Sequence, residues 1–522
     1  MPSTSLTTIM RRTLLATALL PALGSLPAEA AGKLVWAMGV DADSLDPHRT
    51  TTWESWATFD LIYDSLLQFD GNGKVVPNLA KSWEVTPDGK EYTFHLNPGI
   101  QCSDGTPLDA TDVKYTLDRA FDKQNPSVMK AGFGPVTAVT VVDPLTVKFT
   151  LSSPFSAFLA FMGEPFSSIL CDSNKALGKD FGSSKAIGSG PFMVKSWVKG
   201  DRMVLVPNPH FKNYGRPAAN PGPPKLDELI IRRMPEAQTR LAALETGEVQ
   251  IATPPLDNVD TVRSSPKMKL LSADKTGATI FFEFTTSRPP FNDERLRQAV
   301  AYAVDPDAAI DIVFGDVAKR EHCAVGPGVF GNDESWCATQ GYKYDPEKAK
   351  ALLKEAGYGP DKPLDVTVMT WPDDNREKIL QVFQNQLQQV GIKANIELMD
   401  IGTLNARVKQ ENEMKTGKGS FNMMGWSWYD PDILYNLWHS PGAYSGYQTP
   451  ELDAILDKTR TTIDPNARLQ VVRDAQSYLL KHAVQVPLYT PGWNWLYAVR
   501  NEVHGFKVSV FNRPIFNDVT VQ

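Results

Sequence analysis

An α/β fold divided into two or three packed units is predicted for this chain by three observations. Its 522 residues exceed what a single hydrophobic core organises. Strand-like and helix-like segments alternate along most of its length. One run, strand 364–371, helix 376–390 and strand 393–398, has the spacing of a βαβ crossover, and a crossover of that kind requires parallel strands.

The elements follow in order. Arg11 and Arg12 precede a short apolar run, 14–26, and Ala28-Glu29-Ala30 fits a small-residue cleavage site. The run is shorter than the roughly 20 residues of a membrane span. Residues 1–30 are therefore expected to be an export signal, cleaved near Ala30. The twin Arg leaves Sec and Tat routes open, and without a Cys at the cleavage point no lipid anchor is expected. Residues 33–39 (KLVWAMG) read as a strand entering the loop DADSLDPHRTTTWESW. Segments 91–96, 146–151 and 203–207 alternate or cluster β-formers between turn residues. Helix 111–121 carries Val113, Leu117 and Phe121 on one stripe, and 235–247 carries Ala237, Leu241 and Leu244 before Gly247 stops it. Beyond the β-rich 278–285 (ATIFFEFT) the helices lengthen. Asp345-Pro346 supplies an N-cap and a first-turn Pro, with Ala349, Leu352, Leu353 and Ala356 inward and Gly357 closing. Helix 376–390 turns Ile379, Leu380, Phe383, Leu387 and Val390 inward, with Gly391 as its cap. Asp464-Pro465 opens another helix with Leu469, Val472, Leu479 and Leu480 inward, and the tail from Pro487 is strand- and turn-like.

Chemistry leaves little trace. A net charge of −7 argues against a nucleic-acid partner, which needs concentrated Lys and Arg. There is no H-E-x-x-H, G-x-S-x-G, Walker loop or G-x-G-x-x-G after a strand. Gly188-Ser189-Gly190-Pro191 reads as a structural turn. The histidines, His48 and His439 among them, are scattered singly, and no C-x-x-C occurs, so neither metal ligation nor a cofactor is expected. A hydrolase with paired carboxylates stays open, because such a pair is made by the fold and not by a motif. Cys323 and Cys337 bracket the Gly/Pro-rich AVGPGVFGNDESW and are expected to pair in an oxidising compartment, while Cys102 and Cys171 are either bonded or simply buried. The positive signal is aromatic. Trp53 and Trp56, Trp371, Trp426 and Trp428 with Tyr429, and Trp493 with Trp495 sit beside loops. Core packing claims some of them. Trp371 and Gly425-Trp426 follow strands, where open α/β sheets place ligands.

The chain also resembles the bacterial extracellular solute-binding proteins of family 5, which serve dipeptide, oligopeptide and nickel importers. The blocks that carry the resemblance run through nearly all of the mature chain in the family's order. The most specific is LAKSWEVTPDGKEYTFHLNPGIQCSDGTPLDATDVKYTLDR at 79–119, followed by IGSGPFMVKSW at 187–197, VPNPHF at 206–211, ALETGEVQIA at 243–252, RPPFNDERLRQAVAYAVD at 288–305, YDPEKAKALLKEAGY at 344–358 and the Gly-Trp ahead of Asp430-Pro431. The resemblance implies a two-lobed periplasmic-binding-protein fold with a hinged cleft. Lobe I, 31–285, would carry an extra subdomain, lobe II would span 286–485, and 486–522 would return to lobe I. The crossings would lie near 284–288 and 486–490. It further implies a periplasmic monomer that is no enzyme, delivering a peptide-like or other small organic solute, or a metal chelate such as nickel, to a permease and ATPase.

Combining the strand-end rule with the resemblance gives a candidate cleft of Thr51, Thr52 and Trp53 on one side, with Trp371 and the run Met424, Gly425, Trp426, Ser427, Trp428, Tyr429 and Asp430 on the other. Gly425 would let backbone approach the solute, and the tryptophans would stack on it. Dipeptide-binding members use an Asp soon after the Gly-Trp for the peptide amine and an Arg before a lobe II helix for its carboxylate. Here Ser427-Trp428-Tyr429 and Thr370-Trp371-Pro372-Asp373 stand at those places, Asn97 replaces a usual basic residue and Gln250 a common Asp. Weak binding of ordinary dipeptides is therefore expected, since unpaired charges are costly to bury.

Overall fold

The run Lys33–Met38 is apolar on both faces, as a strand covered on both sides must be, and it forms the centre of a first sheet. In the computed structural model, which describes residues 32–522 other than 274, 415, 441–445, 448 and 492–495, this strand pairs in parallel with Glu228–Arg233 on one side and Ile251–Ala252 on the other. The expected export signal lies outside the described residues, as do Trp493 and Trp495. The sheet has seven strands in the order Met268–Ser272, Leu496–Arg500, Ile251–Ala252, Lys33–Met38, Glu228–Arg233, Arg202–Pro207 and Phe192–Val198.

A second, six-stranded sheet runs Lys319–Arg320, Gln485–Thr490, Ala278–Phe284, Phe421–Ser427, Leu364–Thr370 and Ile392–Leu398. Leu364–Thr370 lies parallel to both of its neighbours, and helix Asp374–Gln389 makes the crossover. Ile379, Leu380, Phe383 and Leu387 are fully buried beneath that sheet. Helices Pro346–Glu355 and Pro465–Lys481 begin at Asp345 and Asp464, whose carboxylates accept from Lys348 N and Ala467 N. In the latter helix Leu469 is only half-buried and Arg468 takes the inward place, because its guanidinium is bound below the surface.

A third unit is the four-stranded antiparallel sheet Ala80–Val85, Glu91–Leu96, Thr146–Leu151, Val136–Asp143. Period-two alternation buries Tyr92, Phe94, Leu96, Val147, Phe149 and Leu151 on one face, over helix Ala110–Ala120. The Gly188–Pro191 turn presses on the end of helix Trp53–Ile62. Gly190 N donates to Ile62 O at 3.1 Å, and a Cβ on Gly188 would overlap that same carbonyl. Gln250, the departure from a common Asp, accepts from Val35 N and donates to Gly247 O, tying two parallel strands. Asn97 donates to the carbonyls of Asn78 and Leu79.

The crossings fall one strand away from the expected positions. Ala278–Phe284, expected at the end of lobe I, is buried along its whole length in the middle of the second sheet. Gln485–Thr490, expected as the return crossing, is its neighbour there. The chain thus leaves the first sheet after Ser272 and rejoins it at Leu496. A continuous apolar run shows that a strand is covered on both faces but carries no mark of which sheet covers it. Disulfides join Cys102 to Cys171 and Cys323 to Cys337.

Candidate functional site

The first wall is the loop before helix Trp53–Ile62. Its shape is set by Asp43, whose Oδ1 accepts from the hydroxyls of Thr50 (2.6 Å), Ser55 (2.6 Å) and Thr52 (2.9 Å). Burial would raise the Asp43 carboxyl, and the Ser55, Thr50 and Thr52 hydroxyls more than offset it, holding it below the usual carboxylate range. Thr52 is therefore occupied in shaping the loop, and Thr51 is exposed. Trp53 lies half-buried against the first-sheet core. It lines a cavity of about 340 Å³ with residues 36–40, Glu54, Arg240, Thr253 and Tyr497. That cavity sits at the carboxyl end of the central parallel strand, where α/β sheets bind ligands.

The second wall is built from the ends of two adjacent strands. Gly425, Trp426 and Ser427 are themselves strand residues, paired with Ile280, Thr279 and Ala278, rather than a loop beyond the strand. The close approach that Gly425 permits is internal: a Cβ there would overlap Ile280 and lie 3.0 Å from Arg376 Nη2. Met424 pairs with Phe281 and is core, at 1 % exposure, because strand alternation turns it away from its neighbours' side. Ser427 Oγ donates to Thr276 O at 2.9 Å. Asp430 is occupied as well. Arg468 grips both its oxygens at 2.6 and 3.0 Å in a buried pair, and it also accepts from Asp432 N. Trp426 and Trp428 are both half-buried and pack against the same core. Trp428 stacks on Tyr429 (5.0 Å) and on Phe166 of the antiparallel unit (6.3 Å), and Phe166 in turn meets Trp56 edge-on at 5.2 Å. The indole N–H groups of Trp56 and Trp428 are buried with no hydrogen-bond partner among the described residues.

Sequence reasoning missed Arg376. It stands in the first turn of helix Asp374–Gln389, after the N-cap Asp373 that accepts from Asn375 N and Arg376 N. Its guanidinium folds back 3.5 Å over the Trp371 ring, with Nη1 near Met423 O (3.2 Å) and Thr370 Oγ1 (3.4 Å). It is 4 % exposed, and no carboxylate among the described residues forms an ion pair with it. Burial lowers its pKa, with Tyr489 and Asp373 pulling the other way. A cation in the first turn of a helix also opposes the helix dipole. Both costs fall if an anion sits beside it. The sequence signal was a Trp-Pro turn with an Arg five positions after the Trp, on the inward side of a capped first turn.

One cluster of potential metal donors occurs among the described residues, Glu321, Cys323 and Glu334, and its sulfur is taken by the Cys323–Cys337 disulfide. No described helix is long and apolar enough to cross a membrane.

Comparison with known proteins agrees with this architecture. Residues 74–446 match the family described as bacterial extracellular solute-binding proteins, family 5 middle. The chain is 31% identical over 496 residues to the glutathione-binding protein GsiB of Salmonella paratyphi A, covering 92% of this chain and 93% of that one. It is 32% identical over 502 residues to GsiB of Pectobacterium atrosepticum, covering 93% and 94%. Among solved structures, the ABC transporter-associated periplasmic binding protein DppA of Helicobacter pylori, in complex with peptide STSA, superposes with a TM-score of 0.74 at 27% identity over 94% of this chain and 99% of that one. The substrate-binding protein CtaP of Listeria monocytogenes shares the fold with a TM-score of 0.80 at 23% identity, over 94% and 99%. The chain belongs to the bacterial extracellular solute-binding proteins of family 5, and its role is that of the solute-binding component of an ABC importer.

Proposed function

We propose that the protein captures a small, peptide-like organic solute bearing a carboxylate between its two lobes, and hands it unchanged to a permease driven by an ATPase. The observation that carries this reading is Arg376, a buried guanidinium over Trp371 at the strand ends of the second sheet, without an ion-pair partner among the described residues. On this reading Arg376 supplies the carboxylate anchor that the resemblance to dipeptide-binding members left unplaced. The glutathione-binding and peptide-binding relatives support the solute class. Two disulfides and the N-terminal signal pattern support export to the periplasm, where the protein would act as a monomer.

Calorimetry against glutathione, dipeptides and a nickel–histidine chelate tests the reading, with mass spectrometry of the recovered solute. Expected are binding of at least one carboxylate-bearing member, recovery of that solute unaltered, and a loss of about 2–3 kcal/mol of binding in a folded Arg376→Met variant. Binding confined to uncharged solutes, undiminished affinity in Arg376→Met, or release of a chemically altered solute would overturn it.

A further inference from the structure

The cavity at the carboxyl end of Lys33–Met38 holds two charged side chains of opposite sign that do not pair with each other: Glu54 and Arg240. Glu54 stands in the first turn of helix Trp53–Ile62, and no other described residue donates a hydrogen bond to its carboxylate or forms an ion pair with it. Arg240 is 9 % exposed. Its Nε and Nη1 donate to neutral carbonyls only, those of Thr253 (3.3 Å), Met234 (2.7 Å) and Pro235 (2.6 Å). No described residue accepts from Nη2. Gly39 lies against the guanidinium, and a Cβ there would come within 3.2 Å of Nη1, so no side chain from that position covers it.

Glu236 acts on Arg240 through space but makes no ion pair with it, so two charges of opposite sign without an ion-pair partner among the described residues face one cavity, which is what a zwitterion requires. We infer that this cavity is a subsite for an unblocked α-amino-acid head group, its ammonium on Glu54 and its carboxylate on Arg240. Asp43, the acid that acts on Glu54 through space, is not a rival for the ammonium, because three hydroxyls already occupy it. The Tyr497 hydroxyl is turned away to Asn512 O, which leaves its ring on the cavity as apolar wall. Burial pushes the Glu54 carboxyl upward, its own backbone N–H opposing that and Asp43 adding to it. A bound ammonium would relieve that desolvation. The inference rests on the proposed reading of a peptide-like solute and sharpens it: the solute carries a free amine and carboxylate at one end and a further carboxylate, for Arg376, at the other.

The test uses calorimetry with glutathione and its N-acetylated form, and with the dipeptide γ-Glu-Ala and its N-acetylated form, on the wild type, Glu54→Gln, Arg240→Lys and Arg376→Met, melting temperature serving as the folding control. The expected result is a preference of about 30-fold for the free amine in the wild type, the size of one charge-assisted bond. Glu54→Gln should abolish that preference and leave the acetylated forms unaffected, whereas Arg376→Met should weaken free and acetylated forms alike. Arg240→Lys keeps the charge without the planar fork and should weaken glutathione binding without altering the amine preference. Equal loss of both forms in Glu54→Gln, or no loss, overturns the subsite while leaving the proposed function standing. Failure of all four probes to bind the wild type overturns the peptide-like reading, and the subsite with it.

Discussion

Trp426 and Trp428 are two residues apart at one strand end, both half-buried and packed against the same core. Trp428 is packed against Tyr429 and Phe166, so it joins the second sheet's lobe to the antiparallel unit. Truncating it should cost folding free energy of the order of a large aromatic deletion, about 3 kcal/mol, and lower the melting temperature without solute present. On the proposed reading Trp426→Ala should, beyond the packing it also loses, cost about 2 kcal/mol in solute affinity, and Trp428→Ala should not. Calorimetry and thermal melts on both variants check this, and equal losses of affinity in the two folded variants would refute it. The same scale shows what a sequence can carry. The loop-side placement of Trp53 and Trp371 was legible because each follows or precedes a recognisable element. Asp430 was not, since its partner Arg468 lies 38 residues on and only the fold brings the two together. Arg376 was obscured for the opposite reason. An Arg at a helix start reads as a solvated charge, and its inward turn depends on Trp371, Thr370 and Met423 being placed beside it.

Among the elements, those whose ends are written in local chemistry were the most legible. Asp345-Pro346 and Asp464-Pro465 each supply a capping carboxylate and a first-turn Pro, and the helices begin there. Gly247 closes its helix in the left-handed conformation, φ 84°. The strands at the crossings were harder, because pairing partners more than 100 residues distant decide which sheet an apolar run joins. The Cys323–Cys337 loop is an element of its own, with 14 residues of separation and both sulfurs buried. In the chain-entropy description its closure stabilises the fold by about 3 kcal/mol. Non-reducing peptide mapping of exported protein should recover the linked pair, and a Cys323→Ser/Cys337→Ser double variant should melt several degrees lower. Both thiols freely alkylated in denatured, unreduced protein would contradict the bond.

Across the whole molecule one apolar core runs from the antiparallel unit into the second lobe, from Phe94 and Phe149 through Phe161 and Phe166 to Tyr429, Leu434 and Trp438. Polar contacts reinforce that seam: Ser156 N and Oγ donate at 2.7 Å to Arg460 O and Thr459 O, carbonyls of the last turn of helix Pro450–Thr461. Stability of the second lobe and docking of the antiparallel unit are thus coupled, and a group buried in that lobe's central strand should affect the melting of the whole. Glu283 is such a group. It is 1 % exposed, accepts from Asn422 Nδ2 at 2.9 Å, and stands opposite Gln485 on the other neighbouring strand. Burial pushes its carboxyl up from the ordinary 4.5 to about 7, the Asn422 bond opposing only in part. The folded chain therefore holds a proton that the unfolded chain releases between about pH 4.5 and 7. With a raised folded pKa the associated stability is complete below the lower value and is lost as pH rises through the upper one. At about 1.4 kcal/mol per pH unit the loss is about 3 kcal/mol. Glu283→Gln keeps an acceptor for Asn422 and carries no charge at any pH. Melting temperatures of wild type and variant should coincide near pH 4.5 and diverge by several degrees at pH 8, with the variant higher. A constant difference between them at every pH, or a wild type that gains on the variant as pH rises, would show that Glu283 is ionised in the folded protein throughout.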